Sequence, residues 1–394
     1  MTATYTHSIP AGTLVLHVAF ELGANQWKLG FSTGLGVAVR LRTIGAGNLA
    51  VLRREIELAK KKFRLTDDVP VCSCYEAGRD GFWLHRWLVE QGIGNIIVDA
   101  ASIEVNRRYR RRKTDSLDAA KLVAMLIRHH AGEKLWSVVR VPSREDEERR
   151  HLHRDLEEMK AETTQHRNRI RGLLAGVGAR VAEINSNFLE MLPTLQTADG
   201  REIPGELRAR LLREFERLQF VEQQIRSLER QRNQKLRDGD DQEYVVKARK
   251  LMGLRAIGPH SAWVFVLELF GWRRVNNRRQ LASVVGLTPT PYDSGEDERE
   301  QGISKAGNRR LRTLLVEIGW CWLQYQKSSA LSQWYQKRFA GGSKRQKKIG
   351  IVALARKLLI ALWKYLQHDE VPEGAVLGNW RSKLIGLGAQ SLPN

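Results

Sequence analysis

The chain has 394 residues, a length that predicts two or three structural units because a single core rarely grows beyond ~250–300 residues. A mean hydropathy of −0.41, without any run near the ~20 apolar residues that a bilayer requires, argues against a membrane-spanning protein. The 65 Lys and Arg residues outnumber the 44 Asp and Glu residues and leave a net charge of +21, which indicates a polyanionic partner.

The positive charge is concentrated in the C-terminal part, where 25 basic and 10 acidic residues lie between positions 245 and 394. This part is therefore the stronger candidate for binding nucleic acid. A membrane surface is the weaker alternative, since no basic amphipathic helix stands apart as an anchor. The first residues lack the basic and apolar regions of a signal peptide, so we expect a cytoplasmic protein that associates with the nucleoid when it acts.

The first third of the chain, residues 1–140, has the pattern of an α/β domain. Three short β-rich runs separated by Gly and Asn predict an antiparallel meander, because such short gaps allow only hairpins. An amphipathic helix follows at 49–63, and strands and helices then alternate. The order β-β-β-α-β-α-β-α is that of the RNase H-like (RuvC-like) fold, with the elements expected at 13–20, 27–32, 36–43, 49–63, 69–76, 81–91, 95–100 and 114–129.

The middle, residues 141–243, is dense in charge and predicts a helical coiled coil. Its first helix has a seam of positions spaced alternately by four and three, interrupted by the polar Thr163 and His166: Leu152, Leu156, Met159, Thr163, His166, Ile170, Leu173 and Val177. A second helix has apolar residues on one side, at Leu211, Phe215, Leu218, Val221, Ile225 and Leu228. The two helices form either an antiparallel hairpin or a dimerisation element across a symmetry axis, and a plain helical linker is the alternative.

The last region, residues 244–394, is expected to be mostly α-helical. Residues 251–270 resemble a helix-hairpin-helix, whose turn at Gly258 would present backbone N–H groups to a phosphate. Ala256 occupies the position of the first glycine in the usual Gly-x-Gly hairpin. Ser294 falls in a Pro- and Gly-rich loop between an apolar and a basic helix. A serine beside glycine is ordinarily a turn residue, so these features alone do not assign it a chemical role.

Four carboxylates occur where the predicted topology would bring them together. Glu21 ends the central first strand, Glu76 ends the neighbouring fourth strand, and Asp115 and Asp118 open the last helix on one face. Four clustered acids repel one another unless a cation lies between them, and Mg²⁺ or Mn²⁺ prefers oxygen ligands. Such a site can act on a phosphodiester. Each acid alone has a plainer interpretation as a helix cap or surface residue, so the prediction depends on all four.

A run of cations directly precedes the last two acids. Charge runs are usually solvated faces. Beside a phosphate-cleaving acid cluster, this one predicts a clamp on the nucleic-acid backbone that weakens steeply with salt. The run consists of Arg107, Arg108, Arg110, Arg111, Arg112 and Lys113.

Taken together, these segments resemble the DEDD transposases of the insertion sequence 110 family, and more closely its insertion sequence 1111 subgroup. The likeness extends through nearly the whole chain. It is carried by HVAFELG, by CYEAGRDGFWL with Glu76, by KTDSLDAAKLVAML with Asp115 and Asp118, by LRAIGPHSA, and by GLTPTPYDSG followed by GISKAGNRRLRTLLVE. The first acid of the family is usually Asp, whereas this chain has Glu21.

The resemblance implies a fuller set of properties than the residues alone predict. Family members excise and insert mobile DNA or invert segments, and the serine matching Ser294 is held to join covalently to DNA at a site shared with the acids. They act as dimers or tetramers and use a structured guide RNA from their own element to pair with donor and target DNA. Candidate nucleic-acid contacts in the matched basic segment are Lys305, Arg309, Arg310 and Arg312.

Three functional hypotheses follow. The first is an RNA-guided, metal-dependent recombinase that uses Ser294 as a nucleophile. The second is a hydrolytic nuclease of the Holliday-junction-resolvase type, with the same acids and water as the nucleophile. The third is a non-catalytic DNA- or RNA-binding protein whose acids hold no metal. A protein–DNA adduct distinguishes the first two, and substitution of Asp115 and Asp118 tests the third.

Overall fold

A computed structural model describes residues 13–78, 81–103, 115–239, 242–294 and 297–385. The chain divides into two compact units, Met1–Ser143 and Arg144–Asn394. The first contains a mixed α/β sheet and the second is mostly helical, as the sequence predicts. None of the described helices has the length and apolar character needed to cross a bilayer.

A five-stranded sheet forms the centre of the first unit, with strand order β3-β2-β1-β4-β5. The first three strands pair antiparallel, which confirms the predicted meander, and β4 and β5 continue the sheet in parallel with β1. The strands are β1 (Leu16–Leu22), β2 (Gln26–Ser32), β3 (Arg40–Gly45), β4 (Val71–Glu76) and β5 (Gly94–Val98).

Helices cover both faces of this sheet. On one face, Phe20 and its neighbours pack against α1 (Leu49–Lys62) and α2 (Trp83–Glu90). On the other face, α3 (Asp115–His130) covers a smaller cluster that contains Ala19 and Cys74. Strand β1 is therefore buried on both sides, which explains its nearly continuous apolar sequence.

In the second unit, α5 (His151–Ala175) and α7 (Gly205–Asp238) form an antiparallel hairpin within the chain. The ion pairs Lys160–Glu229 at 3.1 Å and Arg167–Glu222 at 2.6 Å show the opposite directions of the two helices. Of the two arrangements that the sequence left open, the structure therefore contains the hairpin. The predicted seam residues that it buries are Leu156, Thr163, Ile170, Leu211, Phe215, Leu218 and Val221.

The remainder of the second unit packs around one helical core that includes Trp263, Trp322 and Leu358. A two-stranded hairpin, β6 (Pro289–Ser294) and β7 (Asp297–Ile303), interrupts the helices. The other elements are α4 (Arg144–Glu148), α6 (Phe188–Met191), α8 (Glu243–Met252), α9 (Pro259–Phe265) with a π-helical continuation (Val266–Phe270), α10 (Arg278–Val284), α11 (Arg309–Tyr325), α12 (Ala330–Phe339), α13 (Lys344–His368) and α14 (Ser382–Ile385).

Candidate active site

Two of the predicted acids lie at the same end of neighbouring strands. Phe20 of β1 pairs with Tyr75 of β4 in parallel register, and Glu21 and Glu76 are the next residues on the two strands. Side chains alternate between the faces of a strand, so Glu21 shares the face of Ala19 and Glu76 shares that of Cys74. Glu21 and Glu76 therefore lie on the same face of the sheet, which is the face that α3 covers.

The direction of α3 brings its first turn to this end of the sheet. At the far end of α3, the ring of His130 lies 3.1 Å (Nδ1 to Nε2) from that of His17, near the start of β1. The helix thus runs antiparallel to β1, and its N-terminal turn lies towards Glu21. A close approach to the sheet fixes this position, since a Cβ on Gly30 would lie only 3.0 Å from the carbonyl oxygen of Ala119.

Asp118, the residue before Ala119, is half-buried in the first turn of α3. Its Oδ2 atom is buried and has no hydrogen-bond partner among the described residues. A buried carboxylate oxygen without a donor is costly, and a bound cation would remove that cost. Asp115 is the first residue of α3, three positions earlier and so on the same helical face, but its side chain lies outside the described residues.

The donor chemistry of these acids fits a hard divalent cation, because every candidate ligand is a carboxylate. Within the described part of the chain, no three His, Cys, Asp or Glu side chains are already arranged to hold a metal ion. The nearby thiols do not change the preference for oxygen ligands, because burial raises the pKa of Cys72 to about 11 and also raises the pKa of Cys74. The basic run from Arg107 to Lys113 lies outside the described residues.

Ser294 is the last residue of β6 and pairs with Asp297 of β7 in antiparallel register. The segment predicted as a loop is therefore a β-hairpin, in which strands flank the Gly295-Glu296 dipeptide. Thr290 and Tyr292 explain the difference, since β-branched and aromatic residues favour strands. The side chain of Ser294 and the two residues between the strands lie outside the described part of the chain.

The region that resembles a helix-hairpin-helix has α8 and α9 on either side of a tight turn. Gly258 is the N-cap of α9 and Pro259 its first residue, a position that proline favours. Ala256 has a φ of 76°, in the left-handed region that favours glycine. The chain therefore adopts a glycine-type turn at the position where the usual hairpin has its first glycine.

The four basic candidates near the start of α11 differ in their surroundings. Lys305 and Arg309 are exposed. Arg310 forms an ion pair with Glu157 of α5, and Arg312 donates from Nη1 to the carbonyl oxygen of Val285 at 3.0 Å. Lys305 and Arg309 are thus more accessible to a nucleic acid than the other two.

One buried carboxylate near these residues was not identified from the sequence. Glu268, only 3% exposed, lies in the π-helical segment after α9 and accepts hydrogen bonds from His153 Nε2 at 2.9 Å, Arg154 Nε at 3.0 Å and Asn308 Nδ2 at 3.1 Å. Burial raises the pKa of Glu268, but the hydrogen bonds from His153 and Arg154 and the charge of Arg154 outweigh it and lower the value to about 2. An acid inside the apolar run VFVLELF was the signal that could have identified it.

Glu268 thereby connects three elements of the second unit. His153 and Arg154 belong to α5, and Asn308 is the N-cap of α11, whose side chain also accepts from the backbone N–H of Leu311 at 3.2 Å. The start of α11 follows directly after β7 and residues 304–307. Glu268 therefore anchors the start of α11, which follows the end of the β6-β7 hairpin opposite to Ser294.

Comparison with known proteins gives a consistent set of relatives. A family model described as "Transposase IS116/IS110/IS902 family" matches residues 248–336. A putative transposase, y4rJ, of Sinorhizobium fredii is 39% identical over 375 residues, which cover 92% of this chain and 94% of the relative. A probable family 20 transposase of Pseudomonas aeruginosa is 29% identical over 59% of the chain and 67% of its own length. The transposase for insertion sequence element IS1111A of Coxiella burnetii is 27% identical, covering 52% of the chain and 54% of the relative.

Proposed function

Since the chain belongs to the IS116/IS110/IS902 transposase family, we propose that it transposes DNA by metal-dependent cleavage and exchange of strands at the ends of a mobile element. The observation that carries this proposal is the convergence of Glu21, Glu76 and the first turn of α3 at one end of the sheet, with a carboxylate oxygen of Asp118 buried and lacking a donor among the described residues. The first unit would then be an RNase H-like domain, which the order β3-β2-β1-β4-β5 supports.

The acids are proposed to hold Mg²⁺ or Mn²⁺, with Glu21, Glu76, Asp115 and Asp118 as ligands. When bound, the ion would supply the Lewis acidity that polarises a phosphodiester and offsets the charge of the attacking and leaving oxygens. The protein contributes rigidity: Glu21 and Glu76 belong to strands buried in the sheet, and the contact of α3 with Gly30 fixes the turn that carries Asp118. Glu21 replaces the usual Asp with a side chain one methylene longer and still provides a carboxylate.

Ser294 is proposed to be the nucleophile. Its Oγ forms a bond to a DNA phosphorus, the bond from that phosphorus to the leaving strand oxygen breaks, and the serine proton is transferred overall to that oxygen. The phosphoserine ester conserves the bond, so a DNA hydroxyl can later displace the serine without an external energy source. The serine belongs to the second unit and the acids belong to the first.

Nucleic-acid partners beyond the element ends are also proposed. The net charge of +21 supports binding of a guide RNA in addition to donor and target DNA, with neutralisation of phosphates as the main source of affinity. Gly258, Lys305 and Arg309 are the described residues that we expect to contact nucleic acid, together with the run from Arg107 to Lys113. A dimer or tetramer is the expected active form, because strand exchange joins two DNA sites.

The proposal is tested by a strand-exchange assay on DNA that carries the element ends, with Mg²⁺, Mn²⁺ or a chelator, and with and without the element's RNA. We expect Asp118→Asn and Glu76→Gln to abolish products, Glu21→Asp to retain them, and the exposed Glu57→Gln on α1 to behave as the unmodified protein. Calorimetry should detect Mg²⁺ binding that Asp118→Asn removes. Full exchange by Asp118→Asn, or exchange in the presence of the chelator, would refute the acid-cluster mechanism.

A further inference from the structure

The hairpin of α5 and α7 contains a charge imbalance that neither its packing nor the acid cluster explains. Two ion pairs elsewhere on the hairpin, Lys160–Glu229 and Arg167–Glu222, each join one cation to one acid. Around Glu214 the ratio is different. Four arginines line a cleft of about 300 Å³ around this one acid, and we call it the arginine cleft: Arg169 of α5 and Arg210, Arg213 and Arg217 of α7.

Glu214 lines the cleft and holds neighbouring side chains in place through hydrogen bonds to its carboxylate. Its carboxylate is only 5% exposed, and it accepts hydrogen bonds from His166 Nδ1 and Arg169 Nη1, both at 2.6 Å, and from Arg217 Nη1 at 3.4 Å. Burial raises the pKa of Glu214, but the hydrogen bond from His166 and the charge of Arg169 outweigh it and hold the pKa below its usual value. The acid is therefore ionised at neutral pH and fixes two of the four guanidinium groups.

Arg210 and Arg213 complete the cleft without a partner of their own. Both are exposed, and neither forms an ion pair with any residue that the structure describes. The spacing 210, 213, 214 and 217 places these residues on one face of α7, so the guanidinium groups converge. Four cations around a single carboxylate repel one another, and an anion in the cleft would relieve that repulsion.

The shape and lining of the cleft select the kind of anion. At about 30 Å³ per water, a volume of about 300 Å³ corresponds to about ten water molecules, which is more than a single small anion needs. Among the residues that the structure describes, the lining includes no aromatic or aliphatic side chain that would anchor a protein or a cofactor ring. Guanidinium groups match the oxygens of phosphate in a bidentate geometry, and contacts to phosphate carry no base specificity.

We propose that the arginine cleft binds the phosphodiester backbone of a nucleic acid, at a site separate from the acid cluster. The inference rests on the proposed function, which supplies DNA and RNA as the ligands. The helical hairpin is then a nucleic-acid-binding element in addition to a packing element. His166, which weakens the apolar seam of α5, has a role in the cleft as the donor that holds Glu214.

The test is a binding titration with the full-length protein at several salt concentrations, using a random-sequence DNA duplex and a structured RNA hairpin as separate probes. The variant is Arg210→Gln/Arg213→Gln, and the matched control is Arg226→Gln/Arg230→Gln, which removes two exposed arginines of the same helix outside the cleft. We expect the cleft variant to weaken binding by about tenfold. The slope of log K against log salt should fall by about 2, near one for each lost phosphate contact.

The two probes show whether the cleft binds the backbone of DNA, of RNA or of both. Weaker binding of the duplex alone, of the RNA alone, or of both supports the inference and assigns the ligand. Unchanged affinity and slope for both probes, or an equal loss in the control variant, would overturn it. Asp118→Asn distinguishes the inference from the proposed function, because it should abolish strand exchange while binding both probes normally. If exchange fails in the unmodified protein but the cleft variant still loses binding, only the proposed function is refuted.

Discussion

The substitution Glu268→Gln tests whether the buried carboxylate stabilises the second unit. The change keeps the side-chain shape but removes the negative charge that His153 and Arg154 contact at 2.9 and 3.0 Å. In the folded protein the pKa of Glu268 is about 2, compared with its ordinary value of 4.5. At ~1.4 kcal/mol per pKa unit, this difference corresponds to about 3 kcal/mol in favour of the ionised form. Loss of one partner of a buried ion pair typically costs ~3–5 kcal/mol, in agreement with this value.

The loss should depend on pH in a defined direction. Because the pKa of Glu268 is depressed in the folded state, its stabilisation is fully present above pH 4.5 and disappears as the pH falls through about 2. The difference in unfolding free energy between the unmodified protein and Glu268→Gln should therefore be constant above pH 4.5 and shrink below it. Urea unfolding, followed by tryptophan fluorescence and circular dichroism, measures this difference.

An exposed glutamate of α7 provides the control. Glu216→Gln should change the unfolding free energy by less than ~0.5 kcal/mol, as exposed substitutions usually do. If Glu268→Gln costs less than ~1 kcal/mol, or if its effect does not decrease in acid, the assignment of Glu268 as a stabilising anchor is wrong.

Three further predictions concern the turn before α9 and the packing of α3. Ala256→Gly should raise the unfolding free energy by about 0.5–1 kcal/mol, because the φ of 76° is strained for alanine; thermal unfolding that is unchanged or lower would contradict this. Gly30→Val should lower the free energy of unfolding by about 1–3 kcal/mol, since the new side chain would collide with the Ala119 carbonyl and displace α3. The same displacement should weaken Mg²⁺ binding in calorimetry. Normal Mg²⁺ binding would show that the contact between Gly30 and Ala119 does not position the acids. Burial and the neighbouring His130 lower the pKa of His17 to about 4. Its neutral form therefore stabilises the fold above pH 6.5, and this stabilisation is lost as the pH falls towards 4. A His17→Gln variant whose stability changes with pH as in the unmodified protein would refute this role.

The first unit was largely predictable because its sequence signals are local. Gaps of a few residues forced the meander, and the alternation of strands and helices predicted that β4 lies beside β1, as observed. The helix expected at 114–129 begins at Asp115 and ends at His130. The close packing of α3 on Gly30 was not predictable, because it depends on which small residues face each other across the sheet.

The second unit was less predictable because its key contacts join distant residues. Glu268 is 115 positions from His153, and Glu214 is 48 positions from His166. No spacing rule within one helix connects such partners, so both carboxylates looked like ordinary charges of helical segments. Ser294 was expected in a loop but ends β6, because β-forming residues such as Tyr292 favour pairing with β7.

If Ser294 and the acid cluster both act on DNA, the protein must form a covalent adduct with its DNA substrate. The protein is incubated with Mg²⁺, the element's RNA and a DNA duplex labelled on each strand, then denatured and digested so that mass spectrometry identifies the residue attached to DNA. We expect a phosphodiester on Ser294 that is absent from Ser294→Ala and from Asp118→Asn. Cleaved DNA without an adduct would instead indicate water as the nucleophile and a resolvase-type nuclease, and an adduct on another residue would contradict the assignment of Ser294.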